Sequence, residues 1–239
     1  MSQRIAEIIV NMGEMRFDGI GGFTGGKNCL LGPTVEGSKL FKGRVSSSSL
    51  YLLCATDGNG QDKFHSNNYY HIGPYKSTKE YVLACYDKEI YYYTHASASD
   101  IDSDLFQDTP LELFVQQLRD KRSSLEANYT PVDEPFVLVH DDFNGRNVMV
   151  QGTDVVAVLD WEFSGAYPLS ELIGGVGVDV LEIIDEESEK ENSEWSEKIL
   201  GMVAATARKR GWPENEVTML VGPGDPIVGY ARTEMFPAV

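Results

Sequence analysis

The sequence predicts an α+β protein that is mostly α-helical and carries its chemistry on one small β-hairpin. Two observations lead there. Apolar residues recur at helical spacing in four separate stretches. Only one region, 147–158, holds two strand-like runs joined by a turn signal. The apolar share of 42% and charged share of 24% over 239 residues are those of an ordinary globular chain, long enough to bury a sizeable core. No linker divides it and no repeat recurs, so residues 1–239 read as one domain with its core segment at 137–168.

The first helix is expected over residues 2–15, where Ile5, Ile8, Ile9 and Met12 share a face and Ser2 offers a cap. Residues 13–33 are glycine-rich. Gly21, Gly26 and Lys27 come close to a phosphate-binding G-x-x-x-x-G-K-[ST] loop, but Asn28 stands where a hydroxyl should hold Mg²⁺ and Pro33 follows where a helix should open. The stretch therefore reads as turns. Residues 34–76 are irregular, with one possible strand at SSSSLYLL and with His65 and His71 as loop histidines lacking companion ligands.

Ser77 and Glu80 form an S-x-x-E capping signal for a helix over about 78–91, whose Tyr91-Tyr92-Tyr93 end packs core and rim. The acidic stretch around Asp100, Asp102 and Asp104 lacks the glycine and terminal glutamate of a calcium loop and reads as a solvated linker. Thr109 and Glu112, with Pro110 between them at the first helical position, predict a helix over 110–125 that packs under the hairpin region through Leu111, Phe114, Val115, Leu118 and Leu125. After Pro168, short or broken helices are expected around the glycines at 174, 175 and 177. DEESEKENSE reads as a solvated face or loop, and a helix follows through Trp195, Ile199, Met202 and Val203 until Gly211 and Pro213 stop it. The last residues read as turns.

The chemistry concentrates in Val137 to Gly165, where His140, Asp142, Asn147, Asp160 and Glu162 follow one another. Pairing Val150 with Val155 across the QGTD turn would set Asn147 opposite Val158, and Asp160 would share that face because strand side chains alternate. An amide oxygen and a carboxylate so placed suit Mg²⁺, which takes few protein ligands and leaves room for phosphate oxygens. Asp142, in a loop that Gly145 allows to fold back, is placed to take a proton from a substrate hydroxyl and to orient it. His140 is expected to hold the loop backbone, Arg146 to stabilise the loop by charge, and Asp141 to face solvent.

The run His140-Asp141-Asp142-Phe143-Asn144-Gly145-Arg146-Asn147 resembles the H-x-D-x-x-x-x-N catalytic loop of eukaryotic-like kinases. Asp160-Trp161-Glu162 stands where a metal-binding D-F-G would be. Followed by Phe-Ser-Gly and Tyr-Pro, it is similar to the aminoglycoside phosphotransferase and choline kinase superfamily, in particular its fungal group. RFDGIGG, LLGP, IGPYKSTKEY and the helix at 110–125 also look like that group's C-terminal lobe. The resemblance implies a protein kinase-like C-terminal lobe and an ATP-dependent phosphotransferase that moves the γ-phosphate to a hydroxyl of a small molecule. Asp142 would be its base, with His140 beside it. Asn147 and Asp160 would hold the nucleotide's Mg²⁺, and Glu162 is a further metal candidate.

The resemblance also implies an N-terminal lobe with a phosphate-covering loop and a strand lysine. Neither Lys27, Lys39 nor Lys42 lies in such a strand, so the chain reads as a truncated lobe of doubtful activity by itself. Three readings follow: an active phosphotransferase, an inactive lobe serving as a binding module or a non-functional fragment, and a metal hydrolase using His140 and Asp142, for which further ligands are missing.

The formal charge of −17 opposes nucleic acid and anionic membranes as partners and leans toward a cationic acceptor. Cys29, Cys54 and Cys85 are odd in number and lack C-x-x-C spacing. With no secretory signal and no apolar run near the roughly 18 residues of a membrane span, a cytoplasmic location is expected.

Overall fold

A computed structural model describes residues 1–23, 30–34, 73–95, 101, 106, 108–152, 154–174, 178–181, 184–233 and 235–237. Several expectations lie outside these residues: most of the near-miss phosphate loop, the strand at SSSSLYLL, His65 and His71, and the three aspartates of the calcium-like stretch.

Helix α1 (Ser2–Glu14) buries Ile5, Ala6, Ile9, Val10 and Met12. Met1 occupies the cap position, and Ser2 is buried in the first turn instead of capping it. Gly13 has a packing reason: a Cβ there would meet the Trp212 ring at 2.5 Å. Three short strands follow, β1 (Arg16–Phe17), β2 (Gly21–Phe23) and β3 (Leu31–Gly32). Gly21 of the near-miss loop thus sits in a strand.

Helix α2 (Thr78–His95) starts at the expected cap. The Glu80 N–H donates to Ser77 Oγ at 3.2 Å, and Glu80 Oε2 accepts from the Lys76 N–H at 2.8 Å. Tyr92 and Tyr93 are core residues, and Tyr91 stacks on His95 with ring centroids 4.0 Å apart. Helix α3 (Leu111–Asn128) buries Phe114, Val115, Leu118 and Leu125 as expected. Pro110 is its cap residue, however, and no side chain caps it. Its main neighbour is α2, so it does not chiefly underlie the hairpin region.

Strand β4 (Phe136–Val139) leads into the loop at 140–144 and a 3₁₀ turn at Gly145–Asn147. The hairpin is β5 (Val148–Gln151) with β6 (Asp154–Val158). After a 3₁₀ turn at Trp161–Phe163 comes β7 (Gly165–Pro168) and another 3₁₀ turn at Leu169–Glu171. Five strands form one antiparallel sheet in the order β1-β4-β7-β2-β3. The sheet as a whole was not anticipated: β1, β2 and β3 are two or three residues long, too short to show alternation, and β7 is buried at every position.

Helix α4 (Glu186–Lys209) opens on a complete capping box: the Ser188 N–H donates to Asp185 Oδ1 at 2.8 Å and the Asp185 N–H to Ser188 Oγ at 3.0 Å. The acidic stretch is therefore the solvated face of its first turns, where glutamates suit the helix dipole. Helix α5 (Glu214–Val221) follows, and α6 (Pro226–Arg232) replaces part of the turns expected over 221–239. Asp225 caps α6 by accepting from the Ile227 N–H at 2.8 Å.

The core joins α1 to α4 and α2 to α3 and α6, with the sheet between. Ile9, 1% exposed, belongs to it. Ile9→Ala should cost about 2–5 kcal/mol in chemical denaturation. Val156→Ala, on the outer face of β6 and 54% exposed, should stay within about 0.5 kcal/mol.

Candidate functional site

The hairpin pairs Val150 with Val155 as the sequence suggests, but a bulge between Met149 and Val150 shifts the rest. Val148, not Asn147, therefore lies opposite Val158. Asn147 ends the preceding 3₁₀ turn, and its carbonyl accepts from the Leu159 N–H at 2.7 Å. That bond ties the catalytic-loop candidate to the segment carrying Asp160. Asp141 and Asp160 both adopt left-handed backbone, with φ of 66° and 58°. A side chain other than glycine holds that conformation only where its surroundings fix it.

His140 supplies one such constraint. Its ring is buried, and Nε2 lies 2.8 Å from the Leu159 carbonyl, which can only accept, so Nε2 carries the proton. Nδ1 then takes the Asp142 N–H at 3.3 Å. With both nitrogens turned to backbone, the ring cannot serve as a metal ligand. This removes the geometric basis of the hydrolase alternative.

The Asp142 carboxylate is held by three side chains of its own loop. Asn144 Nδ2 donates to Oδ1 at 2.7 Å, and Asn147 Nδ2 donates to Oδ2 at 2.8 Å. Arg146 Nη2 reaches Oδ1 at 3.0 Å and Oδ2 at 3.3 Å. These contacts occupy most of the acceptor positions of a carboxylate. The Arg146 side chain is 75% exposed and is the partner freest to leave.

Further support comes from residues that no sequence motif marks. The Gly145 N–H donates to the Asp179 carbonyl at 2.7 Å, and a Cβ on Gly145 would stand 2.2 Å from the Val180 carbonyl oxygen. Asn192 of α4, buried, pins that opposing segment: its Oδ1 accepts from Val180 at 2.8 Å and Leu181 at 3.1 Å, and its Nδ2 donates to Asp179 Oδ1 at 3.0 Å.

A cavity of about 530 Å³ opens beside the loop. Asp141, Asp142, Asn144, Glu171, Asp179 and Arg232 give it its polar wall, and Ile9, Val139 and Leu172 part of its apolar floor. Asp141 is exposed, as expected, and also lines this cavity, where Arg232 of α6 pairs with it. The sequence did hold a signal for α6, an Asp-Pro step ahead of Val228 and Ala231.

The hydrogen bonding of Asn147 and Asp160 bears on whether they could hold a metal. Both amide hydrogens of Asn147 point to Asp142, one to its carbonyl at 2.8 Å, and among the described residues no hydrogen bond uses Asn147 Oδ1. The Asp160 carboxylate is exposed and likewise uncommitted among the described residues. Oxygens of this kind, left uncommitted, suit a hard cation such as Mg²⁺ in their chemistry. Glu162 is also exposed. The described residues hold no cluster of three or more His, Cys, Asp or Glu able to bind a metal.

Burial raises the Glu171 carboxyl above its ordinary range against the pull of Arg232, and burial likewise raises Glu134 against the Ser170 N–H and hydroxyl. A raised carboxyl favours the folded state when protonated. Its contribution is complete below pH 4.5 and fades as pH rises through the higher folded value. Relative to wild type, Glu134→Gln should therefore gain thermal stability as pH rises above about 4.5. A constant difference across a calorimetric pH series would contradict this.

Residues 86–174 match the model of the phosphotransferase enzyme family, APH. The matched stretch takes in His140, Asp142, Asn147, Asp160 and Glu162. No curated protein and no solved structure matches the chain.

Proposed function

We propose that this chain is an ATP-dependent small-molecule phosphotransferase of the aminoglycoside phosphotransferase and choline kinase type, close to its fungal group. We read residues 1–239 as one kinase-like C-lobe unit with its catalytic segment at 137–168. The observation that carries this reading is the Asp142 carboxylate, fixed by Asn144 and Asn147 on the wall of a cavity large enough for a small acceptor. The family match over residues 86–174 supports the same reaction class.

In this reading Asp142 accepts a hydrogen bond from the acceptor hydroxyl, orients it for in-line attack and takes its proton. Arg146 must first release the carboxylate, which is inexpensive because an exposed ion pair contributes about 0–1 kcal/mol. Asn144 and Asn147 keep the carboxylate aimed while Arg146 is away. His140 does not move protons; it holds the Asp142 N–H and the Leu159 carbonyl. Asn147 Oδ1 and Asp160 would hold Mg²⁺, with Glu162 as a further candidate. The bound ion supplies charge neutralisation for the phosphate oxygens of ATP. The carboxylates of the cavity wall favour a cationic acceptor.

A second reading, an inactive lobe acting as a binding module, draws on one observation: no strand among the described residues carries a lysine. A strand lysine cradling the phosphates is part of the kinase machinery, and positioning supplies most of the rate in phosphoryl transfer.

Millimolar Mg-ATP should raise the melting temperature of the purified chain, and Asp160→Ala should abolish the rise. No shift in the wild type would sink the catalytic reading for this chain. Where turnover is measurable, Asp142→Asn should lower kcat by roughly 10²–10⁴-fold. Arg146→Ala should change unfolding free energy by less than about 1 kcal/mol.

A further inference from the structure

Among the described residues the cavity wall contains one guanidinium, and it comes from α6. Arg232, in the last turn of α6, has a side chain only 10% exposed. Nη2 donates to Asp141 Oδ1, Nη1 donates to Glu171 Oε2 at 3.0 Å, and Cζ lies 4.5 Å above the ring of buried Tyr167. Burial works against its charge, and the Asp141 and Glu171 carboxylates outweigh that, so the group stays protonated. A buried cation committed to two carboxylates is badly placed to leave them for an anionic ligand. Its role must be sought in what it holds.

What it holds is the residue between His140 and Asp142. Asp141 has φ of 66°, and this left-handed step coincides with the Asp142 N–H turning back to His140 Nδ1. Aspartate tolerates this step better than most side chains but still at an energetic cost, so its partners matter. His140 fixes the backbone on one side of the step, and Arg232 fixes the Asp141 side chain on the other. Glu171 and Tyr167 in turn fix Arg232, from the end of β7 and the turn that follows it.

We propose that Arg232 is a positioning residue: by clamping Asp141 it fixes the Asp141–Asp142 peptide and so the aim of the Asp142 carboxylate. The terminal helix is thereby part of the site although it touches no reacting atom. The proposal rests on the reading of Asp142 as the base, and its test separates the two.

The first measurement needs no turnover. Hydrogen exchange of the Asp142 N–H, read by NMR on the full chain, should accelerate at least about tenfold in Arg232→Gln. In the Asp141→Gly background the same Arg232→Gln change should alter that exchange by less than about threefold, because glycine adopts the left-handed step unaided. Should Arg232→Gln not fold, Arg232→Lys takes its place. A single ammonium lacks the planar fork that bridges Asp141 and Glu171, and the exchange should again accelerate.

The second measurement follows Mg-ATP turnover with water as acceptor. Arg232→Gln should lower kcat about tenfold or more while KM for Mg-ATP stays within about threefold, and the kcat loss should shrink to less than about threefold in the Asp141→Gly background. Unchanged Asp142 exchange overturns the proposal. So does a loss of kcat that persists undiminished beside Asp141→Gly, which would assign Arg232 to Glu171 alone. A raised KM with kcat intact overturns it too, since that marks a phosphate contact. Absence of any turnover in the wild type counts against the phosphotransferase reading, while the exchange measurement still decides the clamp.

Discussion

The His140 ring lies between two backbone groups that belong to different parts of the site, the Asp142 N–H and the Leu159 carbonyl. Its protonation pattern follows from them: a carbonyl needs a donor on Nε2, and an N–H needs a lone pair on Nδ1. The ring is buried, with Phe143 and Trp161 packed against it. An isosteric apolar side chain would leave both backbone groups without this partner in a place water does not easily reach. The loop that presents Asp142 and the segment that presents Asp160 are therefore spaced by the width of one imidazole. The Leu159 N–H bond to the Asn147 carbonyl closes the same link from the other side.

The sheet order explains why distant stretches of chain meet at this point. Strand β4 pairs with β7 from Phe136 opposite Pro168 to Val139 opposite Gly165. The chain leaving β4 enters the catalytic-loop candidate, and the hairpin is an excursion that returns to β7 beside it. The end of β7 and the turn after it then supply Tyr167 and Glu171 beneath Arg232. Helix α1, packed on α4, adds Ile9 to the cavity floor, and α4 adds Asn192 behind the Asp179 segment. Helices and strands with buried faces thus back the loop segments that line the cavity.

The hairpin and its polar residues were legible because their signals are local. Val150 and Val155 flank a turn, and the H-x-D and D-W-E runs are contiguous. The register beyond the bulge was not legible, since a bulge between Met149 and Val150 depends on how Asn147 is drawn into the preceding turn. Helix α4 was read only in its apolar half, because its first turns bury little and owe their order to the Asp185–Ser188 cap and to charge. Asn192 was invisible for a different reason. A single amide on an acidic helix face gives no pattern, and its importance lies in contacts with residues 179–181 that only the tertiary structure creates. Arg232 is of the same kind, paired to a residue 91 positions earlier.

Asn147 meets a narrow chemical requirement at the end of the loop. An amide has one donating and one accepting end, and here the donating end is spent on the carbonyl and carboxylate of Asp142. That choice leaves Oδ1 without a hydrogen bond among the described residues, so in the proposed reaction one side chain would aim Asp142 and still offer an oxygen to a cation. An aspartate would present a like charge to Asp142 with no hydrogen to bridge it. A glutamine would add a methylene to a side chain that is nearly buried. The requirement is for a short side chain with two chemically different ends, and of the common residues only asparagine meets it.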